Sequence, residues 1–388
     1  MIELSAAVDS RGLSGRRLWF RFPSEWEEHV CVDGTAFLPV LLRVAMRCGE
    51  ELRIQAPVDA VLLRGARQAM RIYHRWDRAC RMIDIVAADE TTGEERGRYA
   101  ATLFSGGVDS FYTLLKHCSD GSGITPSITH LLSFHGFDSL TNRPDASGNR
   151  ARIVEAVASD FGLRSVIGSS NFRELTEERA PWAMTHGAAL ASGALALRSA
   201  FRVVYVPSSH VYADDLPWGS HPTLDPLWST PGMTILHDGC EVSRAEKTAR
   251  IAGSPVALRH LSVCNAPEKS GNCGRCEKCV RTRLGLFLAG ALDRAQTLRG
   301  VPTAEEVGRV LVLNESTAHY TRENLEALRR RGGAKDLERA LRKVLRRWSW
   351  WRGPIALLRR ARANRLLARP TASLIKVGMR LLDRTRAT

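Results

Sequence analysis

The apolar residues of this chain change period several times, and each change marks an element. The run Leu18-Trp19-Phe20-Arg21-Phe22 alternates as a strand does and stops at Pro23, whereas residues 36–46 carry the three-and-four spacing of a helix. Leu52 and Ile54 mark a second short strand, Val61, Leu62, Ala66, Met70 and Tyr73 line a second helix, and residues 82–86 give a third strand. The pattern predicts a small α/β accessory domain over 1–96, closed by the polar stretch 88–98. From Tyr99 short apolar strands alternate with helices. Strands are expected at 100–104, 130–134, 165–168, 202–206 and 234–237, with helices at 109–117 and 153–161. This is the pattern of an α/β domain over 97–300, a mainly parallel sheet sandwiched by helices, with ligands at the carboxyl ends of the strands. Residues 301–388 read as a basic helical region. Leu337, Leu341, Val344, Leu345 and Trp348 form an apolar stripe with Arg339, Arg342, Lys343, Arg346 and Arg347 on the other faces, and Pro354 and Pro370 are expected to break it.

Composition narrows the class. At 388 residues, 44% hydrophobic and 25% charged, the chain is neither a disulfide mini-protein nor a collagen nor a disordered polymer. No apolar run approaches the roughly 18 residues of a membrane span, and the start lacks the layout of a secretory signal, so a cytoplasmic location is expected. The net charge of +15 is uneven. Residues 320–388 hold 20 Lys and Arg against 5 Asp and Glu, leaving 36 of each sign before them. A near-neutral body thus carries a cationic tail, whose partner need not be the substrate: nucleic acid, an acidic protein or an anionic membrane surface all suit it. With Trp348, Trp350 and Trp351 the tail has groups that grip phosphates and stack on bases, which a tRNA-modifying enzyme would use.

Chemistry enters at Ser105-Gly106-Gly107-Val108-Asp109-Ser110, between a buried strand and a helix. Two glycines let backbone N–H groups approach an anion, the helix N-terminus adds its positive end, and Ser105 and Ser110 offer hydroxyls. Asp109 would hold a Mg²⁺ that in turn meets the phosphates. The hexapeptide lacks the Gly-Lys-Ser/Thr of a Walker A loop and the spacing of a dinucleotide fingerprint. A second cluster is cysteine. Cys31, Cys48, Cys80, Cys118 and Cys240 are scattered, but Cys264, Cys273, Cys276 and Cys279 fall within sixteen residues among hydrophilic neighbours. Four thiolates suit a closed structural Zn²⁺ site, and the same ligands can hold an iron–sulfur cluster.

The hexapeptide resembles the PP-loop of the ATP pyrophosphatase superfamily, with its adenine nucleotide alpha hydrolase-like fold. The loop followed by this cysteine spacing resembles the 7-cyano-7-deazaguanine synthase (QueC-like) branch from about residue 100 to 283. The resemblance implies cleavage of ATP between the α and β phosphates, adenylation of a carboxylate or amide oxygen, attack by ammonia or an amine, and zinc on the four cysteines. It also implies adenosine contacts at Phe134, His135, Gly136 and Asp138 and phosphate neutralisation by Arg244 or Lys247, for which a solvated helix face is the alternative. Residues 181–187 and 212–222 depart from the family's substrate-side stretches, so the acceptor is expected to diverge, a small molecule or a peptide or protein carboxylate. In the Trp- and His-rich stretch 206–240, Asp215 and His221 are candidates to orient a nucleophile or act as base, and Trp218 to stack on a planar ring. His186 is a further pocket candidate or a satisfied core histidine. A non-catalytic nucleotide-binding scaffold is the remaining class, and homo-oligomerisation stays open.

Overall fold

The computed structural model describes residues 1–10, 15–92, 96–119, 126–137, 144–214, 216–264 and 271–363. It divides into two compact units, Met1–Gly300 and Val301–Thr388. In the first, β1 (Ile2–Val8) and β2 (Arg16–Phe22) lead through α1 (Leu38–Cys48), β3 (Leu52–Asp59), α2 (Ala60–Trp76) and β4 (Ile85–Thr91) to β5 (Tyr99–Leu103). There follow α3 (Val108–Ser119), β6 (His130–His135), α4 (Pro144–Asp160), β7 (Arg164–Ser170), α5 (Phe172–Thr176), α6 (His186–Leu195), β8 (Phe201–Pro207) and β9 (Thr234–Asp238). Three helices close the unit: α7 (Arg244–Ile251), α8 (Pro255–His260) and α9 (Glu277–Leu288).

The main sheet has the order β1-β2-β7-β6-β5-β8-β9 among the described residues. Its five strands from β7 to β9 are parallel, and the antiparallel pair β1-β2 is added at the β7 edge through Phe20 and Arg21. Alternation along the strands explains why they read as continuous apolar runs. Ala101, Leu103, Leu132, Phe134, Val204 and Val206 face one core with α1, α2 and α6, while Ala100, Leu131, Val203 and Tyr205 face another with α3, α4, α8 and α9. A parallel sheet covered on both faces needs apolar side chains on both.

Residues 1–96 therefore do not form a body of their own. β1 and β2 extend the main sheet, and the apolar stripes of α1 and α2 bury against its inward face; Leu18, Phe20 and Phe22 are fully buried there. Among the described residues only β3 and β4 pair apart, as a two-stranded parallel sheet. The expected strand at 82–86 lies three residues later: Met82 is exposed, and Ile83 N donates to the Met70 sulfur as the chain leaves α2.

The second unit is helical: α10 (Ala304–Arg309), α11 (Glu315–Arg331) and α12 (Lys335–Ala363). α12 runs on through Pro354, where the expected break does not occur; that turn is solvent-exposed, so the carbonyl freed by the missing N–H can be hydrated. Pro370 lies outside the described residues. The apolar stripe of α12 is consumed inside the unit, with Val344 and Trp348 packed on Val312 and Ala318.

Candidate functional site

From β5 the chain steps outward to β6 and β7, then returns to β8 and β9 on the other side of β5. The loops after β5 and β8 thus diverge at the carboxyl edge of the sheet, where doubly wound folds form their binding crevice. Residues 105–110 occupy the β5 side. Gly106 has φ +77°, and a Cβ there would stand 3.3 Å from Ile153 Cγ2 and 3.4 Å from Ser262 Cβ. Its carbonyl accepts from Ser262 N at 2.7 Å, which fixes the turn against the segment leading to the cysteines. Ser110 Oγ donates to Gly107 O at 3.0 Å, Gly107 N reaches Ser105 Oγ at 3.4 Å, and the two hydroxyls lie 3.5 Å apart. The first-turn N–H groups of α3 have no intrahelical acceptor.

Two cations close the site. α7 starts at a capping box, Ser243 with Glu246, and packs against α3. Arg244 Nη1 donates to Asp109 Oδ2 at 2.7 Å, and Lys247 Nζ lies 3.7 Å from Asp109 Oδ1 while donating to the Ser208 carbonyl at 2.7 Å. Lys247 is 1% exposed. Burial pushes the Asp109 carboxyl up, but Arg244 and Lys247, with Arg281 behind them, outweigh it and hold the group below its ordinary range. Two positive side chains and a helix N-terminus against one carboxylate leave a net positive pocket, fit for an anion. Asp109 Oδ1 is buried and accepts no hydrogen bond among the described residues.

A second set of contacts ties α3 to the end of β9. Asp238 accepts from Thr113 Oγ1 at 2.7 Å and Lys116 Nζ at 2.9 Å, and contacts His117 Nε2 at 3.0 Å. Burial would raise its carboxyl, but these three contacts bring it to about 2. Beneath β9, His237 Nδ1 meets Asp225 Oδ2 at 2.6 Å, to which Ser220 also donates at 2.6 Å. Burial disfavours the imidazolium, yet Asp225 and Cys240 raise His237 to about 9.

The four clustered cysteines converge as expected. Their sulfurs all lie within 4.8 Å of one another, with Cys264–Cys276 at 3.8 Å and Cys273–Cys279 at 3.9 Å. Tetrahedral Zn–S bonds of about 2.3 Å place sulfurs about 3.8 Å apart, so the donor set is compatible with zinc. An iron–sulfur cluster interposes several atoms between its thiolates and needs them farther apart. Hydrogen bonds from Cys279, Cys273 and Cys264 outweigh burial and pull the Cys276 thiol below its ordinary range. Asn272 accepts from Val263 N and Cys264 N, and Arg283 donates to the Gly274 and Gly300 carbonyls, so the loop is braced on both sides.

The remaining candidates disperse. Phe134 is core: its ring fills the space over Gly193, where a Cβ would come within 2.6 Å of it. Gly136, with φ +88°, turns the chain after β6, and His135 is half-buried beside it. His186 contacts the Trp182 carbonyl through Nδ1 at 3.2 Å and packs between Trp182 and Trp218. Trp218 also meets His210 edge-on, and its Nε1 is buried without a hydrogen-bond partner among the described residues. His221 is buried. Its Nδ1 contacts Thr223, and its ring packs on Trp76 of α2 at 5.0 Å. Asp138 and Asp215 lie outside the described residues. Sequence reasoning missed Ser208, Ser262 and Lys116; the first was findable as the residue that leaves β8 at the carboxyl edge, the others hold no pattern. Comparison with models of known families, with curated protein sequences and with solved structures yields no match to this chain.

Proposed function

We propose that this chain is an AMP-forming, ATP-dependent ligase of the PP-loop type, similar to the 7-cyano-7-deazaguanine synthases but acting on a different acceptor. The observation that carries the reading is the convergence of Arg244 and Lys247 on Asp109, in the first turn of the helix that follows the glycine turn. The triphosphate chain lies against the N–H groups of residues 106–110, with the two cations opposing its charge. Asp109 Oδ1, buried and accepting no hydrogen bond, would hold the Mg²⁺ of the nucleotide, which would neutralise phosphate charge there.

A carboxylate or amide oxygen of the acceptor attacks the α-phosphorus, the bond to the β-phosphate breaks, and pyrophosphate leaves with its charge met by Arg244 and Lys247. Ammonia or an amine then attacks the activated carbon, the carbon–oxygen bond to AMP breaks, and the surplus proton passes to solvent. With a second ATP the amide oxygen would be adenylated in the same way, and AMP would then leave by elimination as the nitrogen gives up its two protons to solvent, forming a nitrile. The chain's own contribution is position and charge, since no covalent nucleophile is required. The four cysteines, which would hold one Zn²⁺ in a structural site, brace the segment that holds Gly106 through Ser262 and take no part in the chemistry. The test is exchange of labelled pyrophosphate into ATP in the presence of an acceptor-containing extract. Acceptor-dependent exchange that vanishes in Asp109→Ala supports the reading; exchange equal in both proteins defeats it.

A further inference from the structure

We propose that the outward face of α12 docks this protein on an anionic lipid bilayer. The proposal is independent of the nucleotide reading and stands on the second unit alone. The inward face of α12 is spent: Leu337, Leu341, Val344 and Trp348 are buried, Trp348 Nε1 donates to Glu315 at 3.3 Å, and Arg347 donates to the Gly308 and Val310 carbonyls. The outward face is different. Lys343, Arg346 and Trp350 follow at three- and four-residue spacing, so they share one side of the helix. Trp350 is 72% exposed and Trp351 58%, the two most exposed tryptophans of the described residues.

The charge on this face is uncompensated. Arg339 pairs with Asp336 and Arg342 with Glu338, which uses up the acids of the first turns. Lys343 and Arg346 on this face, and the exposed Arg352 off it, have no acidic partner among the described residues, and from Arg339 onward the sequence holds fifteen Lys and Arg against the single Asp383. A cationic surface with tryptophans at its rim fits the headgroup region of an anionic membrane, where the indole ring settles and each cation meets the surface potential. Composition separates this partner from RNA. Beside Trp350 and Trp351, the chain from residue 350 on has eleven Ile, Leu, Val and Met and no Phe or Tyr, so its apolar content is mainly aliphatic, which suits an acyl-chain boundary better than a stacking platform. No helix among the described residues is long and apolar enough to cross a membrane, so the contact is a surface one.

The experiment is co-sedimentation of the full chain with vesicles of pure phosphatidylcholine or of equimolar phosphatidylcholine and phosphatidylglycerol. Binding is expected to the second alone, and to fall steeply between about 0.1 M and about 0.5 M salt. At about fivefold per cation, Lys343→Gln/Arg346→Gln/Arg352→Gln weakens it by about a hundredfold. Trp350→Ala/Trp351→Ala weakens it by about tenfold, as expected for partly inserted rings. All five side chains are solvent-exposed, so both variants should keep the wild-type circular dichroism. Equal binding to the neutral vesicles, no binding to either, or variants that bind as well as wild type overturns the proposal. So does binding of bulk tRNA that is lost in the same variants while vesicles are ignored, which would assign the face to nucleic acid.

Discussion

Replacing Lys247 by Met separates a ligand-binding cation from a structural strut. Lys247 is 1% exposed, and its ammonium has two partners, the Ser208 carbonyl at 2.7 Å and Asp109 Oδ1 at 3.7 Å. A charge pair near that distance is worth about 4 kcal/mol at an effective dielectric of about 20, but taking an ammonium out of water costs several kcal/mol. The two nearly cancel, and Met fills much the same volume. Asp109 also keeps Arg244 at 2.7 Å, so no carboxylate is left stranded. Folding stability in Lys247→Met should therefore stay within about 1–2 kcal/mol of wild type. Nucleotide affinity should not. A charge-assisted hydrogen bond to phosphate contributes about 1.5–3 kcal/mol, so the ATP dissociation constant should rise by about 10- to 150-fold. Calorimetric titration with ATP and Mg²⁺, paired with urea unfolding, reads both quantities. Unchanged ATP affinity together with a large loss of stability would refute the reasoning and make Lys247 a brace between β8 and α3.

Three further outcomes follow from the geometry. Gly106→Ala must adopt φ +77° and crowd Ile153 and Ser262, so it should lose about 1–2 kcal/mol of stability by urea unfolding and bind ATP at least about tenfold more weakly. His237 is raised from 6.5 to about 9, so its contribution is complete below pH 6.5 and is lost as pH rises through 9. Stability should fall by about 3 kcal/mol across that window, and the slope should flatten in His237→Gln. The purified protein should carry about one zinc and no iron by elemental analysis, and Cys279→Ser or a strong chelator should lower Tm by several degrees.

Periodicity revealed element types but not partners. The alternation of Leu18, Phe20 and Phe22 identifies a strand, yet nothing in it says that the strand joins β7 instead of a sheet of its own. The stripe of α12 was legible as apolar and open to an external partner; the second unit buries it, and the tryptophans that remain outside fall off that stripe. The turn at 105–110 was legible as a strand-to-helix junction because Gly106 and Gly107 separate two apolar patterns, and the cysteines because four thiols in sixteen residues imply one centre. The neighbours of His221 were not legible: nothing in residue type says that Thr223 and Trp76 flank it. Ser208 acts through its carbonyl, and a backbone acceptor leaves no mark on residue type.

The central claim is that the crevice between the ends of β5 and β8 splits ATP between its α and β phosphates. The most direct measurement uses α-labelled ATP with Mg²⁺ and the purified chain, offered separately 7-carboxy-7-deazaguanine with ammonia, bulk tRNA, and an extract of the host. Label recovered in AMP, with pyrophosphate in equal amount, in at least one mixture and absent with Asp109→Ala, is the expected result. Label found in ADP, or AMP formed equally by wild type and Asp109→Ala, would contradict it.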